Sequence, residues 1–209
     1  TDIKSPPVRR RGLKRFVVGT STAGWTSPPV RRRGLKPEDG GEVKLLDGTY
    51  YFEDGVTLTK DRTTLRGSGN STKIILGEAV QSVKDVRIIS LPKNHCTVAD
   101  IFIDGNFQWE YSVRGVYVEG NNNTITGNTC NNNYTDGIYV VGSNSTITGN
   151  ACNDNHEDGI YVGGYGSNLP SFNLIALNNC VGSGPVNIGN VGEGNSIYGN
   201  KYDEGNDLP

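Results

Sequence analysis

From residue 112 onward the chain sets apolar against polar positions in short bursts closed by Gly or Asn. RGVYV (114–118), DGIYV (136–140) and DGIYV (158–162) carry Val or Ile on either side of a Tyr, and the phrase returns every 22 residues. Alternation with period two over so few residues predicts short strands rather than helices. Val and Ile suit a pleated, packed surface. A second phrase follows each copy: NNTITGN at 122–128, NSTITGN at 144–150 and a degraded NSIYGN at 195–200. Ile125, Ile147, Ile175 and Ile197 then fall in register with steps of 22, 28 and 22, as do Asn128, Asn150, Asn178 and Asn200. GGYGSNLPS (163–171) reads as an inserted loop that absorbs the longer step.

A leucine-rich repeat has a similar period, but the leucine positions it needs are missing. The pattern fits an all-β solenoid better: a right-handed, single-stranded parallel β-helix with coils of about 22 residues. Equivalent residues then stack about 4.8 Å apart. Val116, Ile138 and Ile160, with Val118, Val140 and Val162, are expected to point inward. Tyr117, Tyr139 and Tyr161 are expected to point outward. Asn at the turns tolerates left-handed backbone and can hydrogen-bond along its own ladder. Cys130, Cys152 and Cys180 keep the asparagine register, so they are expected inside as free thiols that act as small hydrophobes.

Upstream, residues 40–76 and 86–106 read as earlier, less regular coils. The run GGEVKLLDGTY, then TLRGSGNSTKI, then IFIDGN, then the Asn-rich TITGN repeats, resembles the pectate-lyase-like superfamily of right-handed β-helix proteins over roughly residues 40–202. That resemblance implies the fold. It does not choose among lyases, hydrolases, epimerases, phage tailspikes and non-catalytic surface proteins. In related lyases Ca²⁺ neutralises the uronate while a basic side chain takes the proton, and glycosidase relatives use a carboxylate pair. The chain lacks a GHG with a downstream RxK, and it lacks a DPHE tetrapeptide.

Charge changes the picture at the N-terminus. Residues 1–36 carry ten Lys/Arg and one acid, and residues 37–209 carry ten basic residues and 21 acids, so a basic arm of +9 precedes a body of −11. The arm holds SPPVRRRGLK twice, at 5–14 and 27–36, and so divides from the β-helix domain at 37–209. Its Pro and Arg runs cannot form a helical cap or an interior strand. Without a cap the first coil would leave an unpaired edge, which invites another chain. We therefore expect self-association end to end, with Arg9, Arg10, Arg11, Arg31, Arg32 and Arg33 meeting Asp203, Glu204 and Asp207 of a neighbour. No aromatic residues interleave the Arg triplets, so nucleic acid is not the favoured partner. No apolar run approaches the length of a membrane span. Thr1 is not a start residue, so the chain reads as processed or truncated, and the expected location is extracellular or at a cell surface. Sequons occur at Asn70, Asn122, Asn133 and Asn144, as a chain rich in Asn and Thr makes common.

Two sets of residues have chemical potential. Tyr117, Tyr139 and Tyr161, with Trp109 in the preceding FQWEYS loop, would make an aromatic strip able to stack on sugar rings. Exposed Tyr is also simply a good strand former. Beside it Arg114, Asp136 and Asp158 occupy equivalent positions on successive coils, so they are the candidate catalytic residues. Asp154, His156 and Glu157 lie close by. Stacked carboxylates repel, which raises one pKa or holds a Ca²⁺ between Asp136 and Asp158. Otherwise no cofactor is expected. The plainer reading is that Asp before Gly serves the turn by hydrogen-bonding the backbone. The expected function is a surface structural or adhesive β-helix with contact to polysaccharide. The alternatives are a polysaccharide lyase, hydrolase or epimerase, and a phage-type receptor-binding fibre.

Overall fold

The computed structural model describes residues 14–15, 40–52, 55–77, 85–107, 112–164, 169–184 and 187–202. Their strands are β1 (Lys14–Arg15), β2 (Gly41–Lys44), β3 (Gly48–Phe52), β4 (Val56–Thr57), β5 (Thr63–Leu76), β6 (Asp85–Leu91), β7 (Thr97–Asp104) and β8 (Ser112–Val118). Shorter strands follow: β9 (Thr124–Thr126), β10 (Thr129–Asn131), β11 (Ile138–Val140), β12 (Thr146–Thr148), β13 (Ile160–Val162), β14 (Leu174–Ala176), β15 (Ile188–Asn190) and β16 (Ser196–Tyr198). All the pairings are parallel. One sheet runs β1-β3-β5-β7-β9-β12-β14-β16, the other β15-β13-β11-β8-β6-β4. Bridges Thr129↔Ala151, Ala151↔Asn179 and Asn179↔Lys201 mark a third, narrower side.

The register is the one the repeats predict. Val116 pairs with Ile138 and Ile138 with Ile160; Ile125 pairs with Ile147, Ile147 with Ile175 and Ile175 with Ile197. Upstream, Ile89 pairs with Val116 and Val98 with Ile125, steps of 27 residues, so the earlier coils are longer than 22. Ile and Val from every coil merge into one buried core, together with fully buried Cys130, Cys152 and Cys180. These cysteines are free thiols, as expected, and burial pushes the Cys152 thiol up from its ordinary value.

Three corners turn each regular coil, and each corner uses one left-handed residue. Asn122, Asn144 and Phe172 occupy the first corner, Gly127, Gly149 and Leu177 the second, Asn132 and Asp154 the third. The asparagines in register, Asn128, Asn150 and Asn178, are therefore not the left-handed residues expected at turns. The preceding residue takes that conformation, and the Asn side chain turns inward. Asn128 N–H donates to Asn150 Oδ1 (3.0 Å) and Asn150 N–H to Asn178 Oδ1 (2.9 Å). Asn178 N–H donates to Asn200 Oδ1 (2.8 Å), so one amide per coil satisfies buried backbone at the bend.

Lys14–Arg15, at the end of the first decapeptide copy, pair in parallel with Tyr50–Tyr51 of β3. The first coil thus gains a strand from the segment the charge pattern assigned to a separate arm. The Pro and Arg runs of that arm lie outside the described residues.

Candidate functional site

The sheet containing β8, β11 and β13 carries the residues that the sequence singles out. Two outward columns run along it. Arg87 pairs with Arg114, and the same register continues through Asp136 to Asp158. Three residues on, Ser90, Tyr117, Tyr139, Tyr161 and Gly189 stand in line. Between the columns lie Gly115, Gly137 and Gly159. A Cβ on Gly115 would lie 2.5 Å from Gly137 O, and one on Gly137 would lie 2.6 Å from Gly159 O. The Gly of DGIYV is there because successive backbones approach too closely for a side chain.

The tyrosines point outward from the core, as expected, but their rings are not a platform. Tyr117 is 8% and Tyr139 7% exposed. In-register pairing brings equivalent rings within stacking distance, and they cover one another. Tyr117 and Tyr139 stack with centroids 5.5 Å apart, and Tyr139 and Tyr161 lie tilted by 36° with centroids 5.0 Å apart. Arg87 caps the free face of Tyr117, its Cζ 3.8 Å from the ring centroid, and Arg114 lies 4.8 Å from the Tyr139 centroid. At the far end a Cβ on Gly189 would lie 2.6 Å from Tyr161 Cδ2, so that ring rests on backbone. The spacing that suggested a sugar-stacking strip uses up the ring faces instead. Trp109 lies outside the described residues.

The charged column is closed at Arg114 and Asp136 and more open upstream at Arg87 and Asp85. Arg114 Nη1 pairs with Asp85 Oδ1, Arg87 Nη2 lies 3.2 Å from Asp85 Oδ2, and Arg114 Nε lies 3.4 Å from Asp136 Oδ2. Asp136 is 2% exposed and Asp158 is buried. Burial pushes Asp136 up to about 7; Arg114 opposes this, Asp158 and Glu157 add to it, and a hydrogen bond from the backbone of Asp158 opposes it. The expectation that Asp before Gly bonds its own turn is thus modified. The carboxylate reaches the backbone of the next coil and faces an arginine on the previous one. Such a carboxyl can exchange a proton near neutral pH, the property a general acid needs. With Arg114 on its cationic side and only 3% of its side chain accessible, it is also a well-sealed structural ion pair.

Arg114, Asp136, Asp158, Tyr117, Tyr139 and Tyr161 are thus brought together. Sequence reading missed Arg87, which extends the charged column one coil upstream, and Asp85, which stands in register with Ser112 and pairs with both Arg87 and Arg114. The signal for Arg87 was present, because VRIISL (86–91) aligns with VRGVYV (113–118). His156, flagged as a neighbour, stacks on Tyr134 with centroids 4.6 Å apart. Among the described residues no group of three or more His, Cys, Asp or Glu is arranged to hold a metal ion. The Arg triplets and Asp203, Glu204 and Asp207 lie outside the described residues.

Comparison with known proteins agrees with this architecture. The family model for the right-handed β-helix region matches residues 91–207. Among solved structures, the ORF18 protein of Geobacillus virus E2 superposes with a TM-score of 0.60 at 16% identity. The match covers 78% of this chain and 33% of that one, so the chain spans about a third of its structural neighbour. No curated protein matches. With parallel coils, stacked isoleucines and a family match over more than half its length, the chain belongs to the right-handed β-helix family, in keeping with the pectate-lyase-like superfamily.

Proposed function

We propose that this chain is a rigid structural rod of a surface β-helix or phage-type fibre, and that its Asp–Arg–Tyr face stabilises the stack rather than performing chemistry. The observation that carries this reading is the closure of that face. Asp136 is buried against Arg114, and the tyrosine rings cover one another between Arg87 and Gly189. A cleft that processes polysaccharide needs accessible carboxylates and room for a sugar ring. The β-helix fold shared with a virus protein fits a fibre, and contact with host or surface glycan would then fall to other faces of the rod.

The second reading is catalytic, and one feature favours it: Asp136, in register with Asp158, is held at about 7. One assay separates the two. The full chain is incubated with a panel of neutral and uronate polysaccharides, with and without Ca²⁺, and new reducing ends and unsaturated products are measured. The structural reading expects no product. Product release that disappears in Asp136→Asn would replace it with the catalytic one.

A further inference from the structure

The outward positions of one coil depart from the pattern of those before it. NSTITGN (144–150) becomes FNLIALN (172–178) in the next coil, so Asn144, Thr146, Thr148 and Gly149 give way to Phe172, Leu174, Ala176 and Leu177. The inward Ile and Asn are retained; of the four replacements Phe172 and Leu177 are exposed, Leu174 is half-buried and Ala176 is buried. Phe172 is 70% and Leu177 68% exposed, and Tyr198 on the following coil is 58% exposed. Leu169 and Val191, three residues before the Phe172 corner and its Gly194 counterpart on the next coil, are exposed, and Leu174 is half-buried. These six side chains expose on the order of 500 Å² of apolar surface, the size that marks a contact patch on a monomer.

The backbone adds a second observation. Phe172 (φ 56°) and Leu177 (φ 58°) are both left-handed, where bulky residues are rare. The preceding coil puts Asn and Gly at these corners. A bulky apolar residue there costs the isolated chain backbone strain as well as exposed surface, and a partner that covers the side chains offsets the second cost.

We infer that the side of the coil between the corner at Phe172 and the corner at Leu177 is a contact surface for a second copy of this chain, joining rods side by side. Charge fits this occupant on this side. Residues 37–209 carry −11, so the β-helix domains of two copies repel elsewhere. Residues 169–200 wrap the last full coil with one charged residue, Glu193, and on the sheet that carries Leu174 the outward Thr124, Thr126, Thr146 and Thr148 of the preceding coils are uncharged, so like copies meet here with least repulsion. At about 500 Å² the patch is smaller than the ~800 Å² per partner of a stable protein contact, so the contact is of the weak kind that depends on concentration. The inference does not depend on the fibre reading, because an enzyme could assemble in the same way.

The test is sedimentation of the full chain at low and high protein concentration and at low and high salt. The wild type is expected to associate with rising concentration and to stay associated in high salt, as an apolar contact does. The double variant Phe172→Asn/Leu177→Gly restores the residues of the preceding coil, so its fold is retained, which circular dichroism checks. It is expected to lower the weight-average mass about twofold or more, to that of the monomer. Leu174→Asp, away from the strained corners, should do the same. A wild type that is monomeric throughout overturns the inference. So does association that vanishes in high salt, which would place the contact on the charged arm and tail. A double variant that assembles like the wild type also overturns it.

Discussion

Replacing Asn150 by alanine removes the central rung of the inward asparagine ladder. Its Oδ1 accepts from Asn128 N–H (3.0 Å) and from Asn128 Nδ2 (3.1 Å), and its Nδ2 donates to Ile125 O (3.0 Å) and Asn178 Oδ1 (3.0 Å). Asn128 Nδ2 keeps a second acceptor in Val98 O, and Asn178 Oδ1 keeps the Asn150 backbone N–H. Ile125 O stays in the β9–β12 ladder, whereas Asn128 N–H loses its side-chain partner inside the core. At about 1–3 kcal/mol for a buried polar group left unsatisfied, the loss is about 1–3 kcal/mol. With a urea slope of ~2–3 kcal/mol/M for a domain of this size, the unfolding midpoint should fall by ~0.5–1 M. Asn200→Ala is the control, since Asn200 is the last rung and half-buried, and water can replace it. Midpoints for the two variants that coincide, or an Asn150→Ala protein as stable as the wild type, would refute the account of how the bends are held.

Two further outcomes follow from the same geometry. Asp136 is raised in the folded chain from 3.8 to about 7, so the folded state binds its proton more tightly than the unfolded state does. The stability this contributes is fully present below pH ~4 and is lost as the pH rises to ~7. Urea unfolding across that window should show a downward slope with rising pH that Asp136→Asn flattens; identical slopes would remove Asp136 as the source. Gly142→Ala places a Cβ 1.9 Å from Gly120 O, backbone against backbone. It should cost about 2 kcal/mol or more by forcing two coils apart, and a thermal midpoint equal to that of the wild type would contradict the close approach.

The stack itself was legible because its signal is repeated. Ile125, Ile147, Ile175 and Ile197 fix the register even where an insertion stretches one step to 28, and the cysteines follow. Burial on the outer face was not legible. Period-two alternation says which way Tyr139 points, but its exposure depends on what lies above and below it, and there it meets two rings and an arginine. The asparagines were half legible. Their register predicted a ladder, but the left-handed conformation sits one residue earlier, at Gly127, Gly149 and Leu177. Arg87 was legible only by aligning VRIISL (86–91) on VRGVYV (113–118) across a step of 27 residues, and Asp85 lies outside that alignment. The apolar corner at Phe172 shows in the sequence only after FNLIALN is aligned on its two retained inward residues.

The central claim is that the Tyr column belongs to the rod's own stabilisation, and the unfolding free energy of Tyr139→Ala in urea tests it most directly. Tyr139 lies between Tyr117 and Tyr161, beneath Arg114, and is 7% exposed. Truncating a buried aromatic of this kind should cost about 3–5 kcal/mol. An exposed platform that waits for a ligand would change stability by no more than about 0.5 kcal/mol, and that result would contradict the claim.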